Sequence, residues 1–159
     1  MNSLSVRLGV ILIIELVIFS YGEVLGQEKY LCVAEHAAGF AYSENSKDWV
    51  GTNFKTDLKY IISKSDDKEY RFKVTRVGEN YPTFECKDGF NEPGYLLCQG
   101  MTGQFKFNKK NGRFLASCPF GYFNVIPERR KSFEDKSKIP FTDKDSETPY
   151  MEIGKCSPF

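Results

Sequence analysis

Residues 101–123, MTGQFKFNKKNGRFLASCPFGYF, decide the fold. Asn111-Gly112 predicts a two-residue hairpin turn, because a type I′ turn needs φ > 0 at both central positions. Counting outward, Lys110 faces Arg113, Lys109 faces Phe114, Phe107 faces Ala116 and Phe105 faces Cys118. Side chains alternate between the faces of a strand, so Phe105, Phe107, Phe114, Ala116 and Cys118 share one face. Gln104, Lys106, Asn108 and Ser117 share the other, with Leu115 its only apolar member. A slip of one residue would scatter the aromatic rings over both faces. The aromatic face is therefore a core face.

Working outward, Lys29–Glu35 reads as a first strand and Gly39–Ser43 as a short second one, followed by a polar loop to Trp49. Thr56–Lys64 reads either as a short helix capped by Thr56 or as a strand around Tyr60-Ile61-Ile62. After a turn at Ser65–Lys68, Glu69–Val77 alternates cleanly, with Tyr70, Phe72 and Val74 on one face. Thr83–Lys87, Gly94–Gln99, Gly121–Ile126 and Tyr150–Cys156 complete the strand-like segments. Pro127–Pro149 holds six basic and six acidic residues and few apolar anchors. It predicts a solvated charged loop with a helical turn near Ser132–Lys136. About eight to ten short strands without a long helix predict one all-β antiparallel domain, a barrel or a sandwich.

The first 26 residues read as a separate signal peptide, leaving residues 27–159 as the domain. Arg7 precedes an apolar run, Leu8–Phe19, and Val24 and Gly26 occupy the small-residue positions before a cleavage site. Glu15 interrupts the run. The competing reading is an uncleaved anchor, but the run falls short of the ~20 apolar residues that span a bilayer. Cleavage would remove Arg7, Glu15 and Glu23 from 22 basic and 21 acidic residues, leaving a near-neutral chain with no membrane anchor. Such a balance lacks the basic excess of a nucleic-acid binder. Aromatics are abundant, with 14 Phe, 9 Tyr and one Trp.

An exported chain meets an oxidising compartment, so its five cysteines read first as disulfide partners. The odd number leaves at least one without a partner in the chain. Cys86 and Cys98 flank a segment whose Asp88-Gly89 and Pro93-Gly94 turns bring its ends together. Cys32 and Cys156 lie in the first and last strands, and the ends of a compact domain are often neighbours. Cys118, on the core face, behaves as a small apolar side chain. The expected framework is Cys32–Cys156 and Cys86–Cys98 with Cys118 free.

An early Cys32 is followed by Gly39-Phe40, Trp49 and Lys59-Tyr60. The block Asn108-Lys109…Arg113-Phe114 comes next, then Gly121-Tyr122 and the closing EIGKCSP of Glu152–Pro158. In this order of motifs the chain resembles a family of small exported proteobacterial proteins. The resemblance covers nearly all of residues 27–159. It implies export and a bacterial origin, and carries no activity with it. Cys118 departs from the family pattern, which fits its expected role as the free thiol.

The chemistry available is narrow. His36 is the one histidine, so a Ser-His or Cys-His pair would have to use it, and multi-histidine metal centres are excluded. Its place just past the first strand predicts a surface loop. There is no Cys-x-x-Cys pair, phosphate-binding glycine loop or nucleophile elbow. Asp143 and Asp145 lack the glycine and closing glutamate of a calcium loop. No cofactor and no metal are expected. Lys106, Lys109, Lys110 and Arg113 gather near the hairpin tip and offer a binding surface for an anionic protein or glycan. Their aromatic neighbours point inward, so rings and charges form no single-strand nucleic-acid platform. Tyr42, Trp49, Tyr60 and Tyr122 would line a pocket if the strands close into a barrel; otherwise they fill the core. The sequence thus predicts a periplasmic or secreted, monomeric, non-catalytic module that binds a protein or glycan partner. A lipocalin-like small-ligand carrier is the alternative, and a hydrolase using His36 a remote one.

Overall fold

A computed structural model describes residues 28–122 and 127–159. The expected signal segment, and residues 123–126 of the expected strand Gly121–Ile126, lie outside the described residues; Gly121 and Tyr122 form a turn. The strands are β1 (Tyr30–Ser43), β2 (Asp48–Phe54), β3 (Lys59–Lys64), β4 (Phe72–Arg76), β5 (Phe84–Cys86), β6 (Tyr95–Gln99), β7 (Gln104–Asn108), β8 (Arg113–Cys118) and β9 (Tyr150–Pro158). A helix, α1 (Pro127–Ser137), and a 3-10 turn at Asp143–Asp145 lie between β8 and β9.

From β3 to β9 each strand pairs antiparallel with the next, and β1 closes the ring between β9 and β3. The fold is a closed eight-strand barrel with β2 as one extra strand, which decides between barrel and sandwich. β1 is the shared element. Its first part, Tyr30–Val33, pairs with β3, and Ala37–Ser43 pairs with β2. Its other edge follows β9 only as far as Gly39. From Phe40 to Ser43 the only strand partner is β2, so the two project together as an arm.

Several expectations change. Lys29–Glu35 and Gly39–Ser43 belong to one strand of 14 residues. A bulge between Ala34 and His36 joins them. The extra residue shifts the alternation, so Cys32, Ala34 and Ala37 face inward while Glu35 and His36 both face outward. His36 is therefore an exposed mid-strand residue rather than a loop residue. The polar loop before Trp49 shrinks to Glu44–Lys47, and Asp48–Phe54 is a strand whose Gly51 and Asn53 mask its character in sequence. Thr56–Lys64 resolves as the strand Lys59–Lys64; the Thr56 hydroxyl donates to the Ala34 carbonyl at 3.3 Å instead of capping a helix. In Glu69–Val77 only Phe72–Arg76 is strand, and Tyr70 lies before it.

The β7–β8 turn is longer than the Asn-Gly pair predicts. Asn108 pairs with Arg113, Phe107 with Phe114 and Phe105 with Ala116, and Cys118 pairs with Tyr150 rather than Phe105. The Gly112 amide donates to the Asn108 carbonyl at 2.9 Å, and Arg113 donates to Asn111 Oδ1 at 3.0 Å. Within this loop only Gly112 has positive φ, +68°, so a four-residue loop replaces the type I′ turn. The register moves by two residues, an even step that leaves every side chain on its expected face. The β1–β2 turn uses the same bond, from the Lys47 amide to the Ser43 carbonyl at 2.9 Å, with Lys47 at φ +56°.

The charged segment holds a full helix where only a turn near Ser132–Lys136 is predicted. Pro127 starts it, as proline's fixed φ favours, and Arg130–Glu134 spans one turn at 3.4 Å. None of its residues is buried, so it has no apolar stripe from which to read a helical period. Phe133 meets Phe141 edge-on at 5.5 Å, and an Arg129–Glu147 ion pair ties the helix to the chain leading into β9.

The interior is filled by rings. Phe105 stacks on Phe114 at 5.1 Å, and Tyr60 meets both edge-on at 5.6 and 5.9 Å. Phe90, with Tyr30, Phe72 and Phe107, packs the end of the barrel near the β7–β8 turn. Cys32–Cys156 and Cys86–Cys98 form disulfides, and Cys118 is a half-buried free thiol. Both bridges cross neighbouring strands, β1 to β9 and β5 to β6, on opposite sides of the ring. The β5–β6 seam has one ladder pair, Glu85 with Gln99, so Cys86–Cys98 reinforces the thinnest join in the wall.

Replacing Cys86 and Cys98 together by alanine is expected to lower stability by about 2–4 kcal/mol. Amide exchange should rise selectively in β5 and β6 over β3; an even rise throughout the barrel would show that the bridge does not hold this seam.

Candidate functional site

The disulfide Cys32–Cys156 fixes the inward face of β9, and alternation then places Gly154, Glu152 and Tyr150 on the same face. Arg76 follows Phe72 and Val74 on the inward face of β4 and pairs with Tyr60 across β3. A carboxylate and a guanidinium are thereby carried to one end of the barrel interior, where β1 leaves the ring in company with β2. Glu152 is 3% exposed and is the buried charged residue of the described core.

The Tyr60 hydroxyl donates to Glu152 Oε2 at 2.7 Å. Burial raises the Glu152 pKa, against the opposing effects of the Tyr60 hydrogen bond and the Arg76 charge. Burial also raises the Tyr60 and Tyr150 hydroxyls, and the Glu152 charge adds to both shifts. Both therefore remain protonated donors near neutral pH. For Arg76, burial acts to lower the pKa but is outweighed by causes that include the Tyr60 hydroxyl and the Glu79 charge, so the guanidinium stays charged. Its Nη1 lies 3.6 Å from Glu79 Oε1, and Thr83 donates to Glu79 Oε2 at 3.2 Å. Arg76 Nε is buried with no hydrogen-bond partner among the described residues.

Above this cluster lies a cavity of about 300 Å³, lined by Arg76, Tyr150, Glu152, Lys55, Phe54 and Leu58. Tyr150 separates it from two neighbouring clefts that both reach Cys118. The cavity is a mouth site: the ring beneath it is closed by Tyr60, Phe105 and Phe114.

Three of the four expected pocket aromatics come together, and not at this cavity. Trp49 meets Tyr42 at 6.0 Å and Tyr122 at 5.7 Å, both edge-on. They form a cluster between the β1–β2 arm and the turn after β8 that carries Tyr122, itself 72% exposed. Tyr60 is separate, buried among Phe84, Phe105 and Phe114. The expected basic surface is divided. Lys109 lies over the Phe90 ring at 4.6 Å and pairs with Glu28 at 3.7 Å, while Lys110 and Arg113 are exposed at the turn. Lys106 stands on the outer wall between Leu97 and Leu115. His36 borders an open cleft with Met151, Ile153 and Phe54.

The residues missed from sequence are Arg76, Tyr150 and Glu152. The available signal was alternation: once Cys156 and Val74 face inward, so must Glu152 and Arg76. Among the described residues no group of three or more metal-binding side chains is present and no helix is long and apolar enough to cross a membrane. No protein-family model, no curated protein and no solved structure matches the chain.

Because the folded carboxyl of Glu152 titrates above its ordinary value of 4.5, its contribution to stability is fullest below that value and is lost as pH rises through the folded pKa. Glu152→Gln keeps an acceptor for Tyr60 and removes this titration. Unfolding midpoints measured from about pH 4 to about pH 8 should move in favour of the Gln variant as pH rises. A difference that is flat, or that grows in favour of Glu152, would contradict the burial argument.

Proposed function

We propose that the protein is an exported, non-catalytic binding module that engages a protein or glycan partner through the β1–β2 arm. The observation that carries this reading is the arm itself. Beyond Phe40, whose amide still donates to the Pro149 carbonyl, it continues as a two-stranded ribbon, a structure marginal in water on its own. It bears Tyr42 and Trp49, which Tyr122 of the turn after β8 meets at the Trp49 ring, and exposed apolar side chains, Phe40 at 55% and Val50 at 41%. β2 lies at the end of the strand order, and among the described residues its second edge pairs with no strand. An open edge beside amphipathic rings suits strand addition by an extended peptide and ring contact with a sugar face.

Two disulfides fit an oxidising compartment. The apolar run before residue 27 and the resemblance to exported proteobacterial proteins extend that to the periplasm or the cell exterior. The protein acts as a monomer with no nucleic-acid partner. A small-ligand carrier is the second reading. The packed rings leave it the mouth cavity rather than the barrel interior.

The test is photo-crosslinking with a reactive residue at Val50, in an envelope extract, against the same residue at Lys68 in the β3–β4 turn. A discrete adduct should form from Val50 only and be lost in a Tyr42→Ala/Trp49→Ala variant that retains its cooperative unfolding. Equal adducts from both positions, or none from Val50, would reject the arm as the binding element.

A further inference from the structure

We propose that the cavity at the barrel mouth binds a small monocarboxylate with an apolar tail, the carboxylate held by Arg76 and Lys55 and the tail lying on Phe54 and Leu58. This site is distinct from the arm's aromatic cluster, and the argument for it does not depend on the arm having a partner.

The first observation is an unused donor. Arg76 lines the cavity, and its Nε–H is buried without a partner among the described residues. The neighbouring Nη1 is only loosely engaged, 3.6 Å from Glu79. Nε itself is shielded, so the edge left for a ligand is the pair of terminal nitrogens, a fork that a carboxylate fills with two parallel hydrogen bonds.

The second observation is the balance of charge and surface around that donor. The cavity wall carries two cations, Lys55 and Arg76, against one acid, Glu152. Glu152 already accepts from Tyr60, and its burial favours the neutral form. Tyr150, from β9, offers a hydroxyl on the same wall. The groups behind the wall are acidic: Glu79 follows β4 and Asp57 precedes β3. They oppose a second negative charge, which selects a monoanion over phosphate or a dicarboxylate. Phe54, Leu58 and Ala37 give the remaining wall an apolar character, and a volume of about 300 Å³ is at the small end of ligand sites.

Three probes of matched length decide the chemistry: hexanoate, hexanol and hexylamine, titrated into the intact protein by calorimetry, with inorganic phosphate as a fourth. Hexanoate is expected to bind at least about tenfold more tightly than hexanol, the effect of one charge-assisted fork. Arg76→Lys, which keeps the charge but not the fork, should weaken hexanoate by about tenfold. Glu79→Gln should leave it unchanged or tighten it. Hexanoate titration should shift the amide resonances of Lys55, Arg76 and Tyr150 before those of Trp49. Equal binding of hexanol, preference for hexylamine, phosphate binding as tight as hexanoate, or an unaltered Arg76→Lys affinity would each overturn the proposal.

Discussion

Closure of the ring by β1 against β9 is the constraint on which the rest of the structure depends. Cys32 and Cys156 are direct partners across that join, and a bridge between them holds together chain segments separated by 124 positions. Its effect goes beyond cross-linking. Once Cys156 faces the interior, the period of two along β9 brings Gly154 and Glu152 inward as well. Gly154 has to be side-chain free, because a Cβ there would meet the Val33 carbonyl and the Phe114 ring. The same closure obliges Glu152 to be a buried acid, and Tyr60 and Arg76 are the groups that make its burial tolerable.

The two ends of the barrel consequently differ. The end near the β7–β8 turn is sealed by Phe90 among Tyr30, Phe72 and Phe107, with Lys109 folded over the Phe90 ring. Charge that looks available in sequence is partly occupied there. The opposite end gathers the arm, the cavity over Arg76 and Glu152, and the half-buried Cys118 beside Tyr150. Both proposed sites lie at this end, because it is where β1 runs on past its last β9 partner, Gly39, and continues paired with β2 alone.

Much of the barrel was legible in the alternation of Phe105, Phe107, Phe114 and Ala116, and it survived an error in the turn because the register error was even. The cysteine framework was legible for other reasons: the turns at Asp88-Gly89 and Pro93-Gly94 bring Cys86 to Cys98, and the first and last strands of a compact domain are neighbours, which brings Cys32 to Cys156. What escaped was what alternation alone cannot display. The bulge at Glu35 interrupts the period and made one long strand look like two. β2 is an edge strand with little apolar content, and α1 has no buried face, so neither carries a periodic signal. The mouth cluster was missed for a different reason. Arg76 and Glu152 look like surface charges until the parity of their strands is followed to the end.

Two inward-facing disulfides thus set the strand parity of the closed barrel. Peptide mapping under non-reducing conditions, with free thiols alkylated before digestion, tests it most directly. The account predicts linked peptides for Cys32–Cys156 and Cys86–Cys98, with the alkyl label on Cys118 alone. A bridge involving Cys118, or Cys32 joined to Cys86 or Cys98, would contradict it.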